Sequence, residues 1–220
     1  QSIADEMTGY RPELSFANAK GPLAENIRSI SGQTDISLVV MGAGSGGAID
    51  HLLSGSETIA VIRNCRKPVL IIPETTSLNA LKKVVFATDF SAADIIALAF
   101  LMDLAQRLSF RIEVIHFLHP DDSANKIEAE MTFREYLDSL DQEIISYQQI
   151  FSNHKVQRLQ EYAEETGASV LAITPGQHDW ISRLLVDGVT KKIIAHQHIA
   201  VLIFPTGFTQ RQSISHDTYS

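Results

Sequence analysis

The chain alternates between short apolar runs and longer stretches whose apolar residues recur at helical spacing. Leu38-Val39-Val40-Met41 reads as a buried strand, and Val69-Leu70-Ile71-Ile72, closed by Pro73, as another. Pro22 to Ser31 places Leu23, Ile27 and Ile30 on one helical face, and Ser56 to about Asn64 does the same for Ile59 and Ile62. Gln1 to Thr8 reads as the end of a helix, Glu13 to Ala19 as a short strand and Thr75 to Asn79 as a polar linker.

From Leu81 the pattern restarts. Val84 to Ala87 is a strand, and Ser91 caps a helix through Leu108 that turns Ile95, Leu98, Leu101, Met102 and Ala105 inward. Strands over Ile112–Phe117, Ile144–Ile150, Val170–Ile173 and Ile199–Phe204 alternate with helices over Asp122–Leu140, Val156–Thr166 and Val189–His196. Thr206 to Ser220 is a polar tail. Alternating strands and helices predict an α/β fold with a parallel sheet covered on both faces.

Aligning the chain with itself gives one register that needs no gap. Thr58 falls on Thr190, Ile49 on Ile181, Leu52-Leu53 on Leu184-Leu185, Val69-Leu70-Ile71 on Val201-Leu202-Ile203, and Pro73 on Pro205. The chain reads as a tandem repeat: 1–75 as the back half of a first copy, 81–205 as a complete second copy and 206–220 as the tail. The first copy lacks roughly fifty residues that the second possesses, comprising a strand, a helix and a second strand. Those strands are expected to exist, upstream in the native chain or supplied by a neighbouring molecule, because their absence exposes apolar sheet edges.

Composition narrows the function. An apolar content of 45% and a charged content of 20% are ordinary for a globular protein, and a net charge of −8 argues against nucleic acid or an acidic membrane as main partner. The single cysteine, Cys65, excludes a disulfide framework and fits a reducing compartment; it reads as a structural thiol, although Arg63, Arg66 and Lys67 lie close by. No apolar run approaches the ~18–20 residues of a membrane span. His116, His119, His154, His178, His196 and His198 invite a metal reading, but without acids or thiols at ligand spacing they read as surface, hydrogen-bonding histidines. Asp121, Asp122, Glu128 and Glu130 read as a solvated helix start, and no catalytic grouping is visible.

The stretch with chemical content runs from Leu38 to Thr58. A strand ends in Gly42-Ala43-Gly44-Ser45-Gly46-Gly47, and Gly55-Ser56-Glu57-Thr58 begins a helix with Ser56 as its N-cap. Glycines admit a close backbone approach and a helix N-terminus presents free N–H groups, which together suit a phosphate. A glycine turn that only redirects the chain has the same pattern.

Val84-Val85-Phe86-Ala87-Thr88-Asp89-Phe90-Ser91, Val114-Ile115-His116-Phe117, Leu38 to Gly42, Gly55-Ser56 and Lys67 to Pro73 resemble the universal stress protein family in its tandem form. The resemblance implies an adenine nucleotide α-hydrolase-like, Rossmann-like fold, a five-stranded parallel sheet of order 3-2-1-4-5, and pairing of the two fifth strands across a pseudo-twofold. It implies a dimer-like unit that self-associates, without nucleic acid or membrane as partner, and a cytoplasmic, non-enzymatic stress-response role. It also implies at most one adenine-nucleotide (ATP) site, in the first repeat, with Gly42, Gly44, Ser45, Gly55 and Ser56 on the phosphate loop. Ser45 stands where the family has its second glycine. In the second repeat the loop positions are Thr174, Gln177, Asp187 and Gly188, which do not suit a phosphate. Asp89 matches the family's acidic residue facing the nucleotide, Phe117 lies where the second strand reaches adenine, and Asp89 alternatively caps the following helix. A regulatory or protein-interaction module without nucleotide is the rival reading.

Overall fold

The computed structural model describes residues 14–32, 36–43, 56–73, 76, 81–118, 124–174 and 199–209. The elements are α1 (Leu23–Ser31), β1 (Val39–Ala43), α2 (Ser56–Asn64), β2 (Val69–Pro73), β3 (Lys83–Ala87), α3 (Ala92–Leu108), β4 (Arg111–Leu118), α4 (Ala124–Asp138), β5 (Ile145–Phe151), α5 (Lys155–Glu165), β6 (Val170–Ile173) and β7 (Ala200–Ile203). The expected tail, the Val189–His196 helix and the Gln1–Thr8 segment lie outside the described residues, apart from 206–209.

The seven strands form one sheet in the order β1-β2-β7-β6-β3-β4-β5. Numbered within the second repeat, its strands lie third, second, first, fourth, fifth. All neighbours are parallel except β2 and β7, which are antiparallel. The two repeats use one register: Val39 pairs with Val69 in the first, and their equivalents Leu171 and Val201 pair in the second. Across the antiparallel seam Leu70 faces Leu202, its own repeat equivalent, so a pseudo-twofold passes between them. Both fifth strands therefore have both edges filled inside the chain. The expected pairing of the two fifth strands with each other is thus present, and because it uses their edges, association with another chain through those strands finds no free edge.

Side chains alternate across the pleat into two cores. Val39, Met41, Val69, Ile71, Val85, Ala87, Leu171 and Ile203 pack on one face with Ile27 of α1, Val61 and Ile62 of α2, and Leu159 and Tyr162 of α5. Val84, Phe86, Ala172, Leu202 and Phe204 pack on the other with Leu98 and Leu101 of α3 and Phe133 of α4. The second face is unevenly covered. Ala172 and Phe204 are fully buried beneath the helices, whereas Val40, the equivalent of Ala172, is 56% exposed. No described helix of the first repeat covers that face.

The same imbalance explains a corrected expectation. Residues 14–20 are an exposed irregular segment rather than a strand, with Leu14 and Phe16 at 77% and 96% exposure. In the second repeat the equivalent strand, β5, pairs only with β4. This chain has no first-repeat counterpart of β4 among its described residues, so the segment has no ladder to join.

Candidate functional site

In open α/β sheets ligands bind beyond the carboxyl ends of the strands, where the winding direction reverses. The antiparallel seam turns the two repeats in opposite directions. Gly42, at the end of β1, and Asp89, after β3, therefore lie at opposite ends of the sheet and are not brought together.

At the first-repeat end, Gly42 closes β1 and is exposed. A Cβ added there would meet nothing within 4 Å, and its backbone is not in the left-handed region. Among the described residues nothing in the packing requires this glycine. Helix α2 begins at Ser56 and buries Thr58 in its first turn. Gly44, Ser45 and Gly55 lie outside the described residues.

The second-repeat end is built around Thr88. Its hydroxyl donates to Asp94 Oδ2 at 2.9 Å and accepts from the Phe90 amide at 2.9 Å. Its carbonyl oxygen accepts from His116 Nδ1 at 2.8 Å, which places that ring proton on Nδ1. Asp94 Oδ2 also accepts from the amides of Asp89, at 3.1 Å, and Ser91, at 3.0 Å. Ser91 Oγ in turn accepts from the Asp94 amide at 3.2 Å, which completes a capping box at the start of α3.

The acid that caps α3 is thus Asp94, not Asp89. The signal was present as Ser91-Ala92-Ala93-Asp94, the Ser-x-x-acid spacing of a capping box. Asp94 is 1% exposed, and burial pushes its carboxyl above the ordinary value of 3.8 against the opposing pull of its hydrogen bonds from Ser91 and Thr88. Thr174, at the end of β6, lies close enough to act on this carboxyl. Its buried Oγ1 makes no hydrogen bond of good geometry, yet it stands near enough to this carboxyl to help hold its pKa down.

Phe90 adopts φ +65°, a left-handed conformation that costs a non-glycine residue about 1–2 kcal/mol. Its ring lies tilted against His116 at 4.1 Å between centroids and against Phe133 at 5.5 Å. His116 is 2% exposed, so it is a buried hydrogen-bonding residue rather than a surface one. Phe117 is fully buried in the core with Leu159 and Ile173, leaving no open ring platform at that position.

Elsewhere, Tyr162 of α5 donates to Glu113 Oε1 at 2.6 Å, and Lys83 pairs with Glu113 Oε2 at 3.1 Å. Burial and the Glu113 carboxylate raise the Tyr162 hydroxyl's pKa. Cys65 is buried with Sγ 3.5 Å from Ser31 Oγ, a packed thiol. Among the described residues no three His, Cys, Asp or Glu side chains converge as a metal site, and no helix is long and apolar enough to cross a membrane.

These features define a doubly wound α/β protein with two repeats back to back. The family model described as the universal stress protein family matches residues 6–73 and again 80–205, and the chain belongs to that family. Among solved structures it is similar to a universal stress protein from Archaeoglobus fulgidus, with 15% identity and a TM-score of 0.60, covering 83% of this chain and 64% of that one. A second similar structure, a putative universal stress protein from Pseudomonas aeruginosa, has 18% identity and a TM-score of 0.55, covering 84% of this chain and 69% of that one. The chain therefore spans 64% of the length of the Archaeoglobus protein. No curated protein matches.

Proposed function

We propose that this chain is a non-enzymatic, cytoplasmic stress-response module with at most one adenine-nucleotide site, of the ATP type, at the end of β1 in the first repeat. What supports the reading is Gly42. It is a strand-end glycine whose freedom the fold does not use, as expected where a ligand approaches the backbone. Binding there works through backbone N–H groups of the glycine loop and of the α2 start, with the dipole of α2 directed at the phosphates. No reaction is assigned, because neither strand end gathers a nucleophile, base and oxyanion donors among the described residues.

The rival reading, an interaction module without nucleotide, draws on the uncovered sheet face around Val40. Calorimetric titration of the chain with ATP separates the two. Saturable binding that is abolished by Gly55→Asp, which puts an anion at the loop, is the expected result. No heat at millimolar ATP favours the interaction module, and ATP turnover above about 1 per second, a rate typical of enzymes, overturns the non-enzymatic assignment.

A further inference from the structure

The outer edge of the sheet at β5 lacks the devices that keep a strand from pairing. Edge strands are ordinarily protected by charge, by proline, by bulges or by short length. Ile145-Ser146-Tyr147-Gln148-Gln149-Ile150-Phe151 is seven residues long and carries no charge and no proline. Among the described residues it pairs with β4 alone, residue for residue without a bulge. The Ile112 amide donates to the Ile144 carbonyl, so the even-numbered residues of β5 turn their backbone groups toward β4. The N–H and C=O groups of Tyr147, Gln149 and Phe151 therefore point outward. Apolar side chains flank that edge. Phe151 is 64% exposed, and Ile127 and Met131, at 61% and 59%, share a stripe of α4 with Glu130 and Arg134. Those two reach β5, Glu130 through a 2.7 Å bond from Gln149 and Arg134 over the Tyr147 ring at 5.1 Å.

We propose that β5 pairs antiparallel with β5 of a second copy of this chain, about a twofold axis through Gln148. Backbone, shape and charge each select this occupant. An axis at Gln148 opposes the whole strand to itself, and it matches the outward groups, since Tyr147 then exchanges both bonds with the second copy's Gln149. The same register sets the second copy's Phe151 opposite Ile145, on the face covered by α4. A cavity of about 120 Å³ opens beside Ile145 there, lined by Arg134, Leu137 and Tyr147 among others, and receives the ring. Charge agrees: Asp138, Asp141 and Glu143 precede β5, whereas His154 and Lys155 follow it. Antiparallel pairing brings the acidic end of one copy to the basic end of the other, with Asp141 level with Lys155, whereas a parallel copy would set like charges together. The chain already joins its own repeats by such an antiparallel seam, between β2 and β7. The pairing does not depend on nucleotide binding in either repeat.

Sedimentation of the full chain at about 100 µM is expected to give twice the mass of one chain. Gln148→Cys is expected to form a disulfide-linked dimer on mild oxidation, because residues facing across the axis lie about 4.5 Å apart between Cα atoms. Ser146→Cys is expected not to, since its mate lies roughly 13 Å along the ladder. Cys65, being buried, does not compete. Phe151→Lys is expected to leave a monomer with an unchanged circular dichroism spectrum. A monomeric wild type overturns the proposal, whether the Tyr147 and Gln149 amides exchange rapidly, as at an open edge, or slowly, as at an edge covered by another segment of the same chain. A dimer that survives Phe151→Lys, or that Ser146→Cys cross-links as readily as Gln148→Cys, places the interface elsewhere and overturns it too.

Discussion

Two residues carry opposite lessons about the strand ends. Gly42 is a glycine that the surrounding packing does not demand. Gly42→Ala should therefore leave chemical stability within about 0.5 kcal/mol, as for a surface change, while lowering ATP affinity by tenfold or more; urea melts and calorimetry on the same sample check both. Asp94 is a residue that the packing demands but does not favour in its charged form. Because burial raises its folded pKa, the native state binds more protons than the unfolded chain between 3.8 and the raised value. Its contribution to stability is fully present below that window and is lost as pH rises through the folded pKa. Asp94→Asn should remove this component, so in urea melts between pH 4 and 7 the wild type should lose stability relative to the variant as pH rises through the window; parallel profiles or the opposite trend would remove the assignment. Asp89 drew attention in the sequence because it follows the strand directly. Asp94 did not, although its spacing from Ser91 is that of a capping box; what the spacing leaves out is that the same carboxylate also takes the Thr88 hydroxyl and the Asp89 amide.

At the scale of elements, hydrophobic periodicity made most strands and helices legible, since each had one apolar face and a matching core. The capping box of α3 was readable from Ser91 and Asp94 by spacing alone. Glu13 to Ala19 was misread as a strand because alternation describes a side-chain pattern, whereas a strand also needs a neighbour for its backbone groups. The buried polar ties between elements were not legible at all. Tyr162 reads as one more apolar position of α5, yet its hydroxyl bonds Glu113 on β4 and Gln148 on β5. Tyr162→Phe should cost about 1.5–3 kcal/mol, the loss of a hydrogen bond to a charged group, and thermal or urea unfolding measures it. A neutral result would mean that Lys83 alone satisfies Glu113.

For the whole molecule, the repeat was visible in the sequence as a register, and the structure gives that register a geometric meaning. Leu70 and Leu202 are equivalent by sequence and face one another across the seam. Among the described residues seven strands thereby join into one sheet whose outermost strands are β1 and β5 rather than the fifth strands. The arrangement also sends the two candidate ends to opposite sides, so the Gly42 end proposed for nucleotide and the Asp94 turn belong to separate regions of the molecule. That separation makes the central claim, one nucleotide site and in the first repeat only, open to direct mapping. Amide chemical shifts recorded during an ATP titration decide it. The account predicts saturable changes at Met41 to Ala43 and Ser56 to Thr58, with Thr88 to Asp94 and Thr174 unmoved. Changes centred on Thr88 to Asp94 and Thr174, or none anywhere at millimolar ATP, would contradict it.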